Sequence, residues 1–298
     1  MLTGIHFILT YLCNFECDHC FLYCSPGSKG TFTINQVKDV LSESQKIGTI
    51  REVCFEGGEP FLFYPLLRES IRLANNNGFK TATETNTYWA TTVEDAELWL
   101  RPLKDSGLST LDVSDDTFHH GDEIANSAKR ASSAARKIGL PVNSISINKP
   151  EIENDNEPVK GKPVYTGGPK LRGRAIEKLT EGLPERSWEN FSECPFEDLR
   201  HPKRVHVDSF GNVHLCQGLS MGNMWETPLA DLVNAYDPDA HPISGPLLRG
   251  GPAQLAREHS IEHEQNYIDA CHMCTMMCLK LIDKFPNYIA PRQVYGLK

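Results

Sequence analysis

A chain of 298 residues, 23% charged and 40% hydrophobic, has the composition of an ordinary globular protein. Its length suits one large α/β domain, or one domain with a smaller appendage. The formal charge of −9 argues against a general nucleic-acid binder, which would carry a basic stripe. No apolar run approaches the roughly 18 residues needed to span a bilayer.

The first half alternates strand and helix patterns. Gly4 to Tyr11 is apolar and β-prone, and without a basic flank or cleavage site it reads as a buried strand, not a signal peptide. Thr33 to Ile47 has helical spacing and a stop at Gly48. Glu52 to Glu56 predicts a short strand, Leu62 to Asn77 a helix, and Phe79 to Thr85 a strand. Val93 to Ser106 then predicts a helix, Thr110 to Ser114 a strand, Glu123 to Ile138 a helix and Val142 to Ile147 a strand. Repeated βα units imply a parallel sheet, open or curled into a barrel, with sites at the carboxyl ends of its strands.

After Pro150 the texture changes. Glu151 to Lys170 reads as a long irregular connection with one short strand around Val164, and Arg172 to Ala175 leads into a helix. Val205 to Asp208 and Val213 to Cys216 predict a β-hairpin with a Gly-containing turn. Asp237 to Gly251 reads as loop, and Ala256 to Lys284 as mostly helical.

The chain has 10 cysteines, and most are clustered: 13, 17, 20 and 24 near one end, 271, 274 and 278 near the other. In a reducing cytoplasm, the compartment expected here, such clusters mark metal or redox sites more often than disulfides. Cys13, Cys17 and Cys20 form a C-x-x-x-C-x-x-C run directly after the first strand. Three thiolates are one too few for a closed structural zinc site. A four-iron cluster held by three cysteines leaves one iron open to another ligand. The next strand ends in Glu56-Gly57-Gly58-Glu59-Pro60.

These two motifs, with Phe21 directly after the last cysteine, resemble those of radical S-adenosylmethionine (radical SAM) enzymes over roughly residues 4 to 175. The resemblance implies a partial (β/α)6 TIM-like barrel. It further implies a [4Fe–4S] cluster on Cys13, Cys17 and Cys20, with S-adenosylmethionine chelating the open iron. Gly57, Gly58, Glu59 and Pro60 would meet the cofactor, Gly57 and Gly58 by letting backbone come close. Thr85 and Asn86 would make polar contacts to it, and Ser114 and Asp116 would meet the ribose hydroxyls. Arg130 or Arg174 would pair with the methionine carboxylate. His19 stands where the family commonly has an aromatic. His119 and His120 read as pocket polar residues or as a base, Cys54 as a core residue, and Cys24 as a secondary candidate.

Residues 1–180 are expected to form this core, and 181–298 a small hairpin-plus-helix extension. Gly211 to Cys216, followed by Met221 to Met224, resembles the hairpin of the SPASM and twitch extensions. By that resemblance Cys194, Cys216, Cys271 and Cys274 would bind one auxiliary [4Fe–4S] cluster, with Cys278 as a competing ligand. Structural zinc is the alternative for this set.

The implied activity is oxidoreductase chemistry: reductive cleavage of S-adenosylmethionine to a 5′-deoxyadenosyl radical, then hydrogen abstraction from a peptide or protein. A crosslink, thioether, epimer or oxidised residue would result. Dehydrogenation of a small-molecule metabolite is the alternative, and a non-catalytic iron–sulfur or zinc module the reading of another class. Flavodoxin or ferredoxin would supply electrons; neither nucleic acid nor membrane is expected as a partner. Against the peptide reading, the chain starts almost at the first strand, so no N-terminal peptide-recognition domain is expected to be fused; a separate protein could supply one.

Overall fold

The computed structural model describes residues 1–152 and 165–297; the strand expected around Val164 lies outside them. Five βα-type strands come first: β1 (Gly4–Thr10), β2 (Glu52–Gly57), β3 (Lys80–Thr85), β4 (Thr110–Ser114) and β5 (Val142–Ile145). Between them run α1 (Ile34–Ile47), α2 (Tyr64–Asn76), α3 (Val93–Asp105), the short α4 (Thr117–His120) and α5 (Ser127–Lys137). The chain signals their ends locally. Thr33 and Gln36 form a reciprocal capping box at the start of α1, and Gly48 ends it in the left-handed region.

Next come α6 (Arg174–Lys178), β6 (Arg186–Ser187), β7 (Arg204–Asp208), β8 (Asn212–Cys216) and β9 (Leu219–Asn223). The tail holds α7 (Leu229–Ala235), α8 (Ser244–His259), β10 (Asn266–Tyr267) and α9 (Ala270–Leu281). The helix α7 was not anticipated. The loop expected up to Gly251 is helical from Ser244, because α8 tolerates Pro246 in its first turn and breaks only at Gly250 and Gly251. The tail helix is divided, since residues 260–269 leave helical geometry between α8 and α9.

The main sheet has the order β5-β4-β3-β2-β1-β7-β8-β9. The α/β partial-barrel class therefore stands, and its sixth parallel strand is β7, paired with β1 in the register His6↔His206. The hairpin β7–β8 is antiparallel, as expected, but it continues the main sheet instead of standing apart. No helix among the described residues is long and apolar enough to cross a membrane.

Period-two alternation separates the two faces of this sheet. Ile5, Phe7, Leu9, Val53, Phe55, Val205 and Val207 point outward into one core with Val37, Leu41, Leu67, Ile71 and Leu100 of the helices. The opposite, concave face carries His6, Glu52, Glu56, Glu84, Arg204 and His206, which line a cavity of about 500 Å³. Parallel sheets covered on both faces read as continuous apolar runs. Here the polar alternation marks a barrel interior.

Candidate functional site

Cys13, Cys17 and Cys20 lie on the loop after β1 and all line the concave cavity. Backbone N–H groups point at two of the sulfurs: Phe15 donates to Cys13 Sγ (3.4 Å) and Cys24 to Cys20 Sγ (3.3 Å). The Asn86 amide adds a contact to Cys13 Sγ at 3.7 Å. Hydrogen bonds to sulfur favour the thiolate and tune a bound cluster. The hydrogen-bonding partner Cys24 holds the Cys20 thiol down at about 6, against its burial. Burial pushes Cys13 up to about 11 and Cys17 to about 12.

The loop is held from outside. Arg174 donates to the carbonyls of Cys17 (2.9 Å) and Cys24 (2.7 Å), and its backbone N–H donates to Cys20 O (3.0 Å). Arg130 donates to the carbonyls of Ala90 and Ala125 and lies beside Glu123. Each of the two arginines that were alternatives for the carboxylate thus has structural partners, and neither lines the cavity.

Gly57 and Gly58 do line it, and the structure adds a second reason for glycine there. A Cβ on Gly58 would lie 2.2 Å from Leu12 O, and one on Gly57 would lie 2.3 Å from Thr10 O. The Gly-Gly pair lets the cysteine loop pack onto the end of β2, fixed by Gly58 N–H to Thr10 O (2.7 Å) and Glu59 N–H to Leu12 O (2.9 Å). Glu59 and Pro60 are buried and outside the cavity lining. The Glu59 carboxylate accepts from Phe61 N–H, Thr85 Oγ1 and Asn86 N–H at 3.0, 2.9 and 2.7 Å, and burial pushes its carboxyl up to about 7.

Thr85, Asn86, Ser114 and Asp116 reach the cavity from the ends of β3 and β4. Asn86 also holds Asn14 of the cysteine loop, at 2.9 Å. Asp116 Oδ1 caps α4 through the N–H groups of Phe118 and His119 and meets His119 Nδ1 at 2.8 Å. His19 packs on Phe118 at 4.6 Å, and burial pushes its imidazole down to about 4. His120 contacts the Ser114 carbonyl and is outside the cavity lining.

Deeper in the same cavity lies a cluster that the sequence reading did not single out. His6 Nδ1 meets Glu56 Oε2 at 3.0 Å, and His206 Nε2 meets Glu56 Oε1 at 3.2 Å. Burial alone would lift the Glu56 carboxyl, but the two imidazoles hold it below the usual carboxylate range. Burial and the facing Glu56 push Glu84 well up. The available signal was polar residues at alternate positions of three strands. Cys54 is buried on the same face, near Glu56 and Glu84.

A second cavity gathers Cys194, Cys216, Cys271, Cys274 and Cys278. The helix α9 supplies three of them at i, i+3 and i+7, which places them on one face. Arg172, buried in the same wall, donates to Cys216 Sγ at 2.6 Å and to the Gln217 carbonyl. Cys216 lines this cavity while its neighbour Gln217 lines the first, so β8 ends as the partition between them.

The residues present suit the groups the motifs imply. Three sulfurs, two of them with N–H donors, line one open, polar cavity, and five sulfurs line the other.

Several known proteins are similar to this chain. "Putative peptide biosynthesis protein YydG" of Bacillus subtilis (strain 168) is 26% identical over 254 residues, covering 85% of this chain and 72% of that protein. "Putative glycyl-radical enzyme activating enzyme MJ1632" of Methanocaldococcus jannaschii is 30% identical over 82 residues, 28% of this chain and 31% of that protein. The crystal structure of BtrN in complex with AdoMet and 2-DOIA has 16% sequence identity and a TM-score of 0.47, covering 78% of this chain and 82% of BtrN. The family model for the Radical SAM superfamily matches residues 7–160, a little over half of the chain. The chain belongs to the radical SAM superfamily, a membership that implies a [4Fe–4S] cluster and S-adenosylmethionine.

Proposed function

We propose that this chain is a radical SAM oxidoreductase that modifies a peptide or protein. The carrying observation is that Cys13, Cys17 and Cys20 share one cavity with Gly57, Gly58, Thr85, Asn86, Ser114 and Asp116. Cys13, Cys17 and Cys20 hold the cluster, and the polar ends of β2, β3 and β4 hold S-adenosylmethionine. When bound, the two supply a 5′-deoxyadenosyl radical that takes a hydrogen atom from substrate. The chain's own task is to bring three sulfurs together on one loop, orient the cofactor and exclude water. Arg174 and Asn86 fix the loop, while Glu59 ties the ends of β2 and β3 together without touching the cavity.

Peptide substrates are favoured by the likeness to YydG, which covers most of both chains and whose name describes a peptide biosynthesis protein. For the second cavity, Cys194, Cys216, Cys271 and Cys274 are the ligands of an auxiliary [4Fe–4S] cluster, with Cys278 competing. Residues 1–180 then act as core and 181–298 as cluster-binding extension, sharing one sheet. A flavodoxin or ferredoxin is the electron source in a cytoplasmic setting.

The test is to reconstitute the protein without air and add reductant, S-adenosylmethionine and candidate precursor peptides. Release of 5′-deoxyadenosine with a mass change or altered stereochemistry in a peptide supports the reading. Cleavage that never touches a peptide but oxidises a small metabolite overturns the substrate class.

A further inference from the structure

We infer that the barrel interior holds a divalent transition-metal site built from His6, Glu56 and His206, separate from both cysteine sets. The three residues come from the adjacent strands β1, β2 and β7, and His6 and His206 stand opposite each other in the register. Their ligand atoms all lie within 4.8 Å of one another. The two carboxylate contacts, 3.0 and 3.2 Å, are close to the spacing of neighbouring donors around an ion bound at about 2 Å.

Two imidazoles and a carboxylate suit zinc or ferrous iron, not magnesium or calcium. The side chains are held for such a role. Both imidazoles converge on the two oxygens of one carboxylate, and the rings meet edge to face at 4.9 Å. His206 is buried, and the nitrogen that faces Glu56 is Nε2. Gln217 brings its amide to 3.2 Å from His206 Nε2, and either end of an amide can face that nitrogen. Asp116, in the other His–carboxylate group of this cavity, differs: its oxygens already accept backbone N–H groups of Phe118, His119 and Ile147.

The buried Glu56 carboxylate has no Lys or Arg ion pair among the described residues; its partners are the two imidazoles, and a buried carboxylate needs compensation. Three protein donors leave a coordination position open, and the cavity it faces is the one the cysteine loop lines. A substrate carboxylate, carbonyl or imidazole is the chemistry that would occupy it. The ion would anchor substrate opposite the cysteines.

The test uses the anaerobically reconstituted protein, stripped of loosely held metal and titrated with Zn²⁺ alone. Zinc per chain is counted beside iron, and the zinc X-ray absorption edge reads its ligands. We expect one zinc that survives desalting, with a nitrogen and oxygen shell and imidazole scattering. His206→Gln and Glu56→Gln should weaken it by roughly a hundredfold or more, while Cys17→Ala should leave it in place. That last variant separates this site from the cofactor reading. No retained zinc would make the cluster a plain ion-pair group and overturn the proposal. A sulfur shell would overturn it equally, and the absorption measurement on the parent protein holds even if a variant misfolds.

Discussion

Arg172 Nη1 lies 2.6 Å from Cys216 Sγ, and the same guanidinium donates to the Gln217 carbonyl. One buried fork thus joins the segment before α6 to the wall between the two cavities. Replacing Arg172 by Leu leaves the sulfur and carbonyl without their donor. Losing buried hydrogen bonds from a charged group costs about 2 kcal/mol, so the denaturation midpoint should fall. Arg172→Lys should recover part of it, because one ammonium cannot serve both acceptors as a fork does. An unchanged midpoint in Arg172→Leu would contradict the role.

Cys216→Ala removes a proposed ligand of the second site. Iron should fall by one cluster per chain while reductive cleavage of S-adenosylmethionine without substrate persists. Loss of zinc in place of iron would identify that site as structural zinc.

Gly58→Ala tests the packing of the cysteine loop. Its Cβ would meet backbone at Leu12, with O at 2.2 Å and C at 2.6 Å, so no side chain can move aside. Overpacking of this kind costs about 2 kcal/mol, and the first site should assemble less iron. Normal iron content and stability would show that the loop has slack.

Glu59 gives a pH signature. Its carboxyl is pushed from 4.5 to about 7 by burial, so the folded state keeps a proton that the unfolded chain releases. The associated stability is present below the lower value and is lost as pH rises through the higher one. The shift corresponds to on the order of 3 kcal/mol. Glu59→Gln cannot titrate, so its stability relative to the parent should improve by that order between about pH 4 and pH 8. Parallel stability curves for the two proteins would contradict this account.

Much of the barrel was legible because its signals are local. The strands β1 to β4 and the helices α1 to α3 follow apolar periodicity and end near Gly48, Gly78 and Gly107, all at positive φ. The convergence of Cys13, Cys17, Cys20 and Asn86 follows from motifs at strand ends. The pairing of β7 with β1 was hidden, since nothing within Arg204–Asp208 names its partner. The His6, Glu56 and His206 cluster depends on that pairing and was hidden with it. Arg174 illustrates a further limit. An arginine near a motif suggests a carboxylate partner, yet here its partners are two backbone carbonyls of the cysteine loop.

The central claim is that Cys13, Cys17 and Cys20 bind a cluster whose remaining iron takes S-adenosylmethionine. Electron–nuclear double resonance on the reduced protein, with S-adenosylmethionine labelled at its amino nitrogen, reads that contact directly. The account predicts hyperfine coupling between the labelled nitrogen and the cluster in the parent protein, absent in Cys17→Ala. A spectrum unchanged by saturating S-adenosylmethionine, in protein whose first cluster is fully assembled, would contradict it.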